Sequence, residues 1–516
     1  MQRLGATDAN FLYTETDLTP NHIASVQRLA LPHGVSEQAF VEDLKQYVAS
    51  RAHLIPYMQR RLQFLPGNFD HPFWVQDRHF SIDNHVIEAP LRAPGTLAQL
   101  EKKVAELHAV NMDRSRPLWH IYVITGLEDG TVALYNAIHH AAIDGIAGQT
   151  ALMLLMDTTI EPREIQPPAG PVSDNDDFGS LLQASFEKLV KYQLNSASRM
   201  FSNMETMRRM IQRAVDPSRQ FGALAEPAPR TRFNSTIVKR RSYAVGELPL
   251  SDLKAMGKQL GCTVNDAFMA VCAGGLRRYL LRHNELPETG LIAGCPVSLR
   301  GAGNGDMGNQ VTMMSVNLAT QMEDPKLRLL AIAESARVGK EVTADLAGSL
   351  DAEMSLPGLP VFMTAAAAAS EQNHLADVVR MPVNVVISNV PGPRETLFCN
   401  RARMLTHYPV SIPAHGVGLN ITVQSYVDTL YMGITACARA LPDPDLLRDD
   451  MLAAFLELQQ LLLRNNNVAP IKLTGGKTGK PEQMKYEAQD AAATDPAHED
   501  AAQDPETLLD LRSKVA

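Results

Sequence analysis

Two stretches of alternating apolar residues, one in each half of the chain, predict strand–turn–strand hairpins. The first covers residues 120–140 (HIYVITGLEDGTVALYNAIHH), where Asp129-Gly130 marks the turn. The second covers residues 418–440 (GLNITVQSYVDTLYMGITACARA), where VDT separates two apolar runs. Helical apolar spacing follows the first hairpin, and hairpins are common in proteins. The similarity of the two hairpin patterns therefore favours a duplicated α/β fold but does not establish it.

Segments rich in proline and glycine divide the chain into four parts. EPREIQPPAGPVSDNDD ends an N-terminal unit of residues 1–165, and a linker of residues 166–230 follows. In this linker, apolar residues recur at helical spacing from Phe178 to Val215, opposite a basic face. A bridging helix between the halves and a helix lying on a membrane surface both fit that pattern. Residues 231–464 form a C-terminal unit, and residues 465–516 contain too few large apolar residues to order as anything but a tail.

Composition narrows the class of protein. A chain of 516 residues exceeds what one hydrophobic core supports, and 45% hydrophobic with 20% charged residues is ordinary globular composition. The net charge of -9 does not predict nucleic-acid binding. Five dispersed cysteines indicate a reducing compartment, and neither a signal peptide nor an apolar run of 18 residues is visible. We expect a cytoplasmic protein whose membrane contact, if any, is peripheral, on the inner membrane or on lipid droplets.

The strongest chemical signal is HHAAIDG at residues 139–145, between an apolar strand and an apolar helical run. A neutral imidazole can take a proton from a hydroxyl group and return it to a leaving group. Along a strand, His139 and His140 point to opposite faces, so they cannot share one role. Three interpretations remain at this point: structural histidines beside an Asp-Gly turn, a metal site that includes Asp144, and general-base catalysis.

Further motifs resolve the choice. The chain carries, in order, PLW at 117–119, HHAAIDG at 139–145, VNDA at 264–267, CPVSLR at 295–300 and VISNVPGP at 386–393. HHxxxDG is the signature of the chloramphenicol acetyltransferase-like superfamily, which includes carnitine acyltransferases and peptide-synthetase condensation domains. Together the motifs resemble those of the bacterial wax ester synthase/acyl-CoA:diacylglycerol acyltransferase family, over roughly residues 8 to 464.

The resemblance implies an α/β fold of two chloramphenicol acetyltransferase-like subdomains with mixed sheets and an active-site tunnel at their interface. It implies transfer of a long-chain acyl group from acyl-CoA to a fatty alcohol or diacylglycerol, without a metal or cofactor. His140 would be the general base and His139 its support. Asp144 would hold the local turn, paired with Arg300 as in the superfamily. The oligomeric state does not follow from these residues.

Other motif residues have a structural and a functional interpretation. Asn265 and Asp266 begin an apolar helix as a capping pair would, whereas the resemblance makes Asn265 a substrate-binding residue and Asp266 its backbone support. Trp119 either anchors a strand in the core or shapes the acyl channel. Ser388 and Asn389 precede a rigid Pro-Gly-Pro turn, which predicts a scaffold role with substrate contact as the alternative.

Two other functions remain as alternatives. One is a catalytically silent protein that binds lipid or coats lipid droplets on the same fold, which the amphipathic linker and the tail would suit. The other keeps the chemistry but takes the acyl group from a carrier protein, as condensation-type enzymes do. Neither a P-loop nor a dinucleotide-binding glycine motif is present in the sequence, so nucleotide hydrolysis is not expected.

Overall fold

A computed structural model describes most of the two predicted units. It describes residues 2–143, 145–167, 177–194, 204, 208, 209, 212, 213, 221–298, 311–346 and 358–464. Asp144, Arg300, most of the predicted 178–215 helix beyond residue 194, and the predicted tail lie outside the described residues. No described helix is both long enough and apolar enough to cross a bilayer.

Strands and helices are interspersed along the chain. The strands are β1 (Gln2–Arg3), β2 (His22–Ala30), β3 (Arg60–Gln63), β4 (Phe73–Gln76), β5 (Val86–Glu88), β6 (Trp119–Ile124), β7 (Val132–His139), β8 (Arg241–Pro249), β9 (Ile292–Ser298), β10 (Val311–Asn317), β11 (Val385–Val390), β12 (Phe398–Cys399), β13 (Ala402–Val410), β14 (Leu419–Tyr426) and β15 (Thr429–Cys437). The α-helices are α1 (Ala6–Tyr13), α2 (Glu37–Arg51), α3 (Leu97–Leu107), α4 (Gly145–Leu155), α5 (Phe178–Leu194), α6 (Leu250–Gln259), α7 (Val264–Arg282), α8 (Pro325–Leu346), α9 (Leu359–Gln372) and α10 (Pro444–Gln459). Single 3₁₀ turns lie at 52–54, 56–58, 66–68, 82–84, 222–224 and 375–377, and a π-helical turn follows α10.

The first large sheet has six strands in the order β12-β13-β2-β7-β6-β5. Its neighbours are antiparallel except β5 and β6, which run parallel. The predicted first hairpin is present as β6 and β7. Four of the six strands, β2, β5, β6 and β7, come from the N-terminal unit. The other two, β12 and β13, come from residues 398–410, far along the chain. The long partner β13 covers β2 from Ala24 to Ala30.

The second large sheet has six strands in the order β10-β9-β11-β14-β15-β8. Strand β11 runs parallel to both of its neighbours, and the other pairs are antiparallel. The predicted second hairpin is present as β14 and β15. Two mixed sheets, each with helices packed beside it, confirm the predicted fold class. The predicted domain boundaries stay predictions. Residues 398–410 lie within the predicted C-terminal unit, but they pair in the first sheet.

Each large sheet lies in its own hydrophobic core. Trp119, Leu134 and Phe40 belong to the first core, and Phe268, Ile421 and many residues of α7 belong to the second. A smaller sheet, in the order β1-β4-β3, carries a separate apolar cluster in which Phe73 and Val75 pack against Leu181 of α5. This packing attaches the start of the linker to the N-terminal unit.

Candidate active site

The two motif histidines occupy different environments at the end of β7. His139 is completely buried, whereas His140 is half-buried. The backbone fixes both, because the His139 N–H donates to the carbonyl oxygen of Leu118 (3.0 Å) and the His140 N–H donates to that of Asn21 (2.9 Å). The alternation of side chains along a strand thus separates the histidines, as the sequence predicts.

Hydrogen bonding restricts His139 to one neutral tautomer. The backbone N–H of Ala141 donates to His139 Nδ1 at 3.1 Å, so Nδ1 presents its lone pair and carries no proton. The proton of the neutral ring therefore lies on Nε2, which faces Oε2 of Glu15 at 3.5 Å. The ring thus accepts one hydrogen bond at Nδ1 and points Nε2 toward a carboxylate. His139 can orient its surroundings, but it has no lone pair available to accept a proton from a substrate.

The Glu15 carboxylate lies beside the His139 ring and also binds Asn21, which holds the backbone of His140. Its Oε2 accepts from Nη2 of Arg114 at 2.6 Å and from Nε of the same residue at 3.1 Å, while Oε1 accepts from the Asn21 N–H at 3.2 Å. Burial alone would raise the pKa of the Glu15 carboxyl. Hydrogen bonding to His139, together with the charge and hydrogen bonds of Arg114, outweighs burial and lowers that pKa. Glu15 is therefore a carboxylate at neutral pH.

An aromatic ring holds the His140 imidazole in place. The Phe11 ring of α1 stacks on it with centroids 4.0 Å apart and planes 7° from parallel. Asn21 ties down the same segment, because its Nδ2 donates to the Phe11 carbonyl oxygen at 2.8 Å and to Thr14 Oγ1 at 3.0 Å. Residues 11–21 thus form a bracket that fixes both the ring and the backbone of His140.

The residues of this bracket were missed in the sequence. Glu15 and Asn21 lie more than 100 residues from the histidines, and no motif spacing links them or Arg114 to that pair. The available signal was an acidic residue in the segment before an apolar strand, which is also an ordinary feature of surface loops.

We expect Glu15→Gln to lower kcat by about 10- to 100-fold with little change in KM, because a misplaced base costs rate rather than ground-state binding. The amide would leave the Arg114 charge unpaired and loosen the His139 ring. Steady-state kinetics with saturating acyl donor would measure the change, and thermal unfolding would separate it from loss of fold. Glu128→Gln, at an exposed carboxylate, is the matched control. An unchanged kcat would show that Glu15 does not position the histidines.

Further buried imidazoles lie on the His139 side of the sheet. His22 of β2 is directly opposite His139 of β7. Tyr135 connects His22 to His108, because its hydroxyl lies 2.8 Å from His108 Nδ1 and 3.3 Å from His22 Nε2. Burial lowers the pKa of His22 well below its usual range and that of His108 to about 3. Both rings are therefore neutral at physiological pH, so neither His22 nor His108 adds a positive charge next to His139.

Asn265 and Asp266 lie at the start of α7. Asp266 is buried, and its Oδ2 accepts from the backbone N–H (2.8 Å) and the hydroxyl (2.7 Å) of Thr263. The Thr263 hydroxyl in turn accepts from the Asp266 N–H at 3.2 Å, which completes a capping box. Asn265, half-buried between them, is held by this cap at the first turn of the helix.

Trp119 lies in the N-terminal core. It is 2% exposed, its Nε1 donates to the Met58 carbonyl oxygen at 2.9 Å, and its ring stacks on His85 with centroids 4.4 Å apart. The structure thus gives Trp119 the anchoring contacts of the structural interpretation. A contact between Trp119 and an acyl chain stays a prediction.

Ser388 and Asn389 lie in β11, where they pair with Thr422 and Val423 of β14. Ser388 is half-buried and Asn389 is exposed. The turn that follows packs closely, because a Cβ atom at Gly392 would overlap the carbonyl oxygen of Ser425.

The same turn approaches the helix that follows the histidine motif. Oε1 of Gln149 in α4 lies 3.7 Å from the position that a Cβ atom of Gly392 would take. The structure therefore brings the VISNVPGP motif of the C-terminal unit next to the helix that follows HHAAIDG. Within the described part of the chain, no group of three or more His, Cys, Asp or Glu side chains is arranged to hold a metal ion.

Comparisons with known proteins agree with these features. The family model for the wax ester synthase/diacylglycerol acyltransferase catalytic domain matches residues 4–268, and the model for the C-terminal domain of the same family matches residues 307–459. A putative diacylglycerol O-acyltransferase of Mycobacterium tuberculosis is 32% identical over 455 residues, covering 88% of this chain and 98% of that protein. The O-acyltransferase WSD of Acinetobacter baylyi is 31% identical over 457 residues, covering 86% and 93%.

Solved structures show the same architecture. The wax ester synthase/diacylglycerol acyltransferase of Marinobacter aquaeolei VT8 superposes with a TM-score of 0.63 at 27% identity, covering 89% of this chain and 99% of that one. The first condensation domain of the CDA synthetase superposes with a TM-score of 0.51 at 14% identity, covering 89% and 96%, and so shares the fold. The resemblance seen in the motifs is confirmed: the chain belongs to the wax ester synthase/diacylglycerol acyltransferase family and is an O-acyltransferase.

Proposed function

We propose that this enzyme transfers a long-chain fatty acyl group from acyl-CoA to the hydroxyl of a fatty alcohol, of diacylglycerol, or of both, with His140 as the general base. The observation that carries the assignment is the contrast between the two histidines. Nδ1 of His139 accepts from Ala141 and its Nε2 faces the buried Glu15 carboxylate at 3.5 Å, whereas His140 is half-buried and its ring is held by stacking on Phe11. The similarity to a putative diacylglycerol O-acyltransferase and to the O-acyltransferase WSD supports acyl transfer to a lipid hydroxyl.

The chemistry requires one proton carrier. His140 removes the hydroxyl proton as the alcohol oxygen attacks the thioester carbonyl carbon, which gives a tetrahedral oxyanion. The carbon–sulfur bond then breaks, and the protonated imidazole returns its proton to the coenzyme A thiolate. The products are one ester and one free thiol, without an acyl-enzyme intermediate. An alcohol is a weak nucleophile and thiolate is a good leaving group, so proton removal and oxyanion stabilisation are the main demands.

The remaining motif residues receive supporting roles in this proposal. Asn265 orients the acyl carbonyl or the acceptor from the first turn of α7, while Asp266 holds that turn through its capping box. Ser388 and Asn389 contribute to the wall where the two units meet, and Trp119 shapes the channel from within the core. Asp144 and Arg300 hold the motif turn as a pair.

We further propose that the enzyme works in the cytoplasm and meets its acceptor at a membrane or lipid-droplet surface. All five cysteines are free thiols, and four of them are buried, which suits a reducing compartment. Long-chain alcohols and diacylglycerol partition into lipid phases, so an enzyme that esterifies them must reach such a phase.

A competition assay tests this function directly. Purified protein would receive palmitoyl-CoA with hexadecanol and dioleoylglycerol together, and chromatography would separate the wax ester from the triacylglycerol. We expect ester formation that depends on an acceptor and releases one coenzyme A thiol per ester. Lipid binding without any ester product would favour the silent lipid-binding alternative. Turnover only with an acyl carrier protein, and none with acyl-CoA, would favour the condensation-type alternative.

A further inference from the structure

Three phenylalanine side chains are strongly exposed around one loop. The exposed fractions are 46% for Phe69, 65% for Phe186 and 67% for Phe362. The loop at residues 66–71 contacts the two helices that carry the other two rings. The Gly358 N–H, at the start of α9, donates to the Phe69 carbonyl oxygen at 3.0 Å, and the Ser185 hydroxyl of α5 donates to the Asp70 carboxylate. The three rings therefore belong to neighbouring elements of one surface.

Helix α5 presents a stripe of apolar side chains to solvent. Leu182, Phe186 and Val190 recur every four residues, which places them on one side of the helix, and all three are exposed. Its buried side is already used, because Leu181 packs into the cluster of the three-stranded sheet and Ser185 is buried. The outward stripe is thus additional to the face that holds α5 in the fold.

Helix α9 also has an apolar outer face. No charged residue occurs from Leu359 to Ser370, although half of these positions are exposed, including Val361 and Phe362. A surface helix normally carries charged residues on its outer face. Large contiguous apolar areas on a protein surface mark interaction sites.

This surface adjoins the elements that hold the proposed base. Helix α9 packs on α1, the helix that carries Phe11 stacked on His140. At its other end, the Glu371 carboxylate accepts from the Thr16 hydroxyl, next to Glu15 in the bracket. A hydrophobic acceptor that left a lipid phase at α9 would therefore be close to the bracket.

Two lysines beside the exposed apolar side chains of α5 indicate the kind of partner. Lys188 and Lys191 are exposed on α5 within two turns of Phe186. Exposed aromatic rings next to lysines are typical of helices that lie in the headgroup region of anionic bilayers. We propose that Phe69, the outer stripe of α5 and the outer face of α9 form a docking surface for a lipid surface with anionic headgroups. This inference rests on the proposed function, because it assumes a lipid acceptor.

Vesicle flotation of the full chain tests the surface. The probes are vesicles of phosphatidylcholine alone and of phosphatidylcholine with phosphatidylglycerol. We expect the protein to float with the anionic vesicles, and the triple variant Phe69→Ser, Phe186→Ser, Phe362→Ser to partition about 100-fold less. Lys188→Gln with Lys191→Gln should weaken binding to the anionic vesicles only. The matched control, Val110→Ser with Leu446→Ser, replaces exposed apolar residues elsewhere and should bind like the parent protein.

Two activity assays separate this inference from the proposed function. With a short acyl-CoA and a water-soluble alcohol, the triple variant should match the parent protein, whereas with hexadecanol held in vesicles it should lose activity in proportion to binding. Ester formation by both proteins with equal vesicle binding would overturn the docking surface and leave the function intact. Absence of ester formation by the parent protein in both assays would overturn the function instead. A dimer that the triple variant dissociates, with vesicle binding unchanged, would show a protein interface and also overturn the inference.

Discussion

Replacing His140 by alanine should lower kcat for ester formation by about 10³-fold, because the attacking alcohol loses its proton acceptor. His139 cannot substitute for it, since the lone pair on its Nδ1 already accepts from the Ala141 N–H and its Nε2 faces the Glu15 carboxylate. The change removes a half-buried ring that stacks on Phe11, so we expect only a small loss of stability. Release of coenzyme A thiol, together with chromatography of the ester, would measure the effect.

The comparison variant is His33→Ala, which removes an exposed imidazole before α2 and should leave kcat unchanged. Circular dichroism and thermal unfolding of both variants would confirm that each is folded. Full activity in folded His140→Ala protein would rule out His140 as the base and return the choice to the other interpretations of the motif.

The largest stability effect should come from Asp157→Ala, at about 3–5 kcal/mol in the free energy of unfolding. Asp157 and Arg51 are each 3% exposed, and the carboxylate accepts from Arg51 Nη2 at 3.0 Å and from the Tyr47 hydroxyl at 2.7 Å. Alanine would leave the buried guanidinium without its counter-charge. The backbone of Asp157 also exchanges two hydrogen bonds with Phe398, so the loss falls where β12 meets the N-terminal unit.

Urea unfolding would measure this loss, and two further variants interpret it. Asp157→Asn keeps a hydrogen-bond acceptor but not the charge, so it should fall between the parent protein and the alanine variant. Glu161 lies four residues after Asp157 and forms an exposed ion pair with Arg401. Glu161→Ala should change the free energy of unfolding by less than about 1 kcal/mol. Equal effects of Asp157→Ala and Glu161→Ala would contradict a buried ion pair.

Features set by neighbouring residues were predictable from the sequence. Both hairpins were found where the alternation of apolar residues and the turn residues placed them, as β6–β7 and β14–β15. The VNDA motif begins α7 because Thr263 and Asp266 cap its first turn within four residues of each other. The divergence of His139 and His140 followed from strand geometry alone. Local periodicity and capping carry such information directly.

Features set by distant residues were not predictable. The Glu15 carboxylate reaches Arg114 across 99 positions of sequence, and the N–H of Arg28 in β2 donates to the Thr406 hydroxyl of β13 across 378 positions. Nothing in the pattern of residues 402–410 says which sheet will accept them, because an apolar strand of this length could pair at the edge of either. The burial of Trp119 likewise depends on Met58 and His85, which come together only in the folded chain.

The late position of β13 has a consequence for synthesis of the protein in the cell. Strand β2 leaves the ribosome early, but the strand that covers its outer side follows almost 380 residues later, after roughly 20 to 75 s of elongation. During that interval the nascent first sheet presents the bare hydrogen-bonding edge of β2, a template for pairing with other chains. The first sheet is therefore completed only near the end of translation, and a chaperone that shields β2 until then would raise the yield of native enzyme.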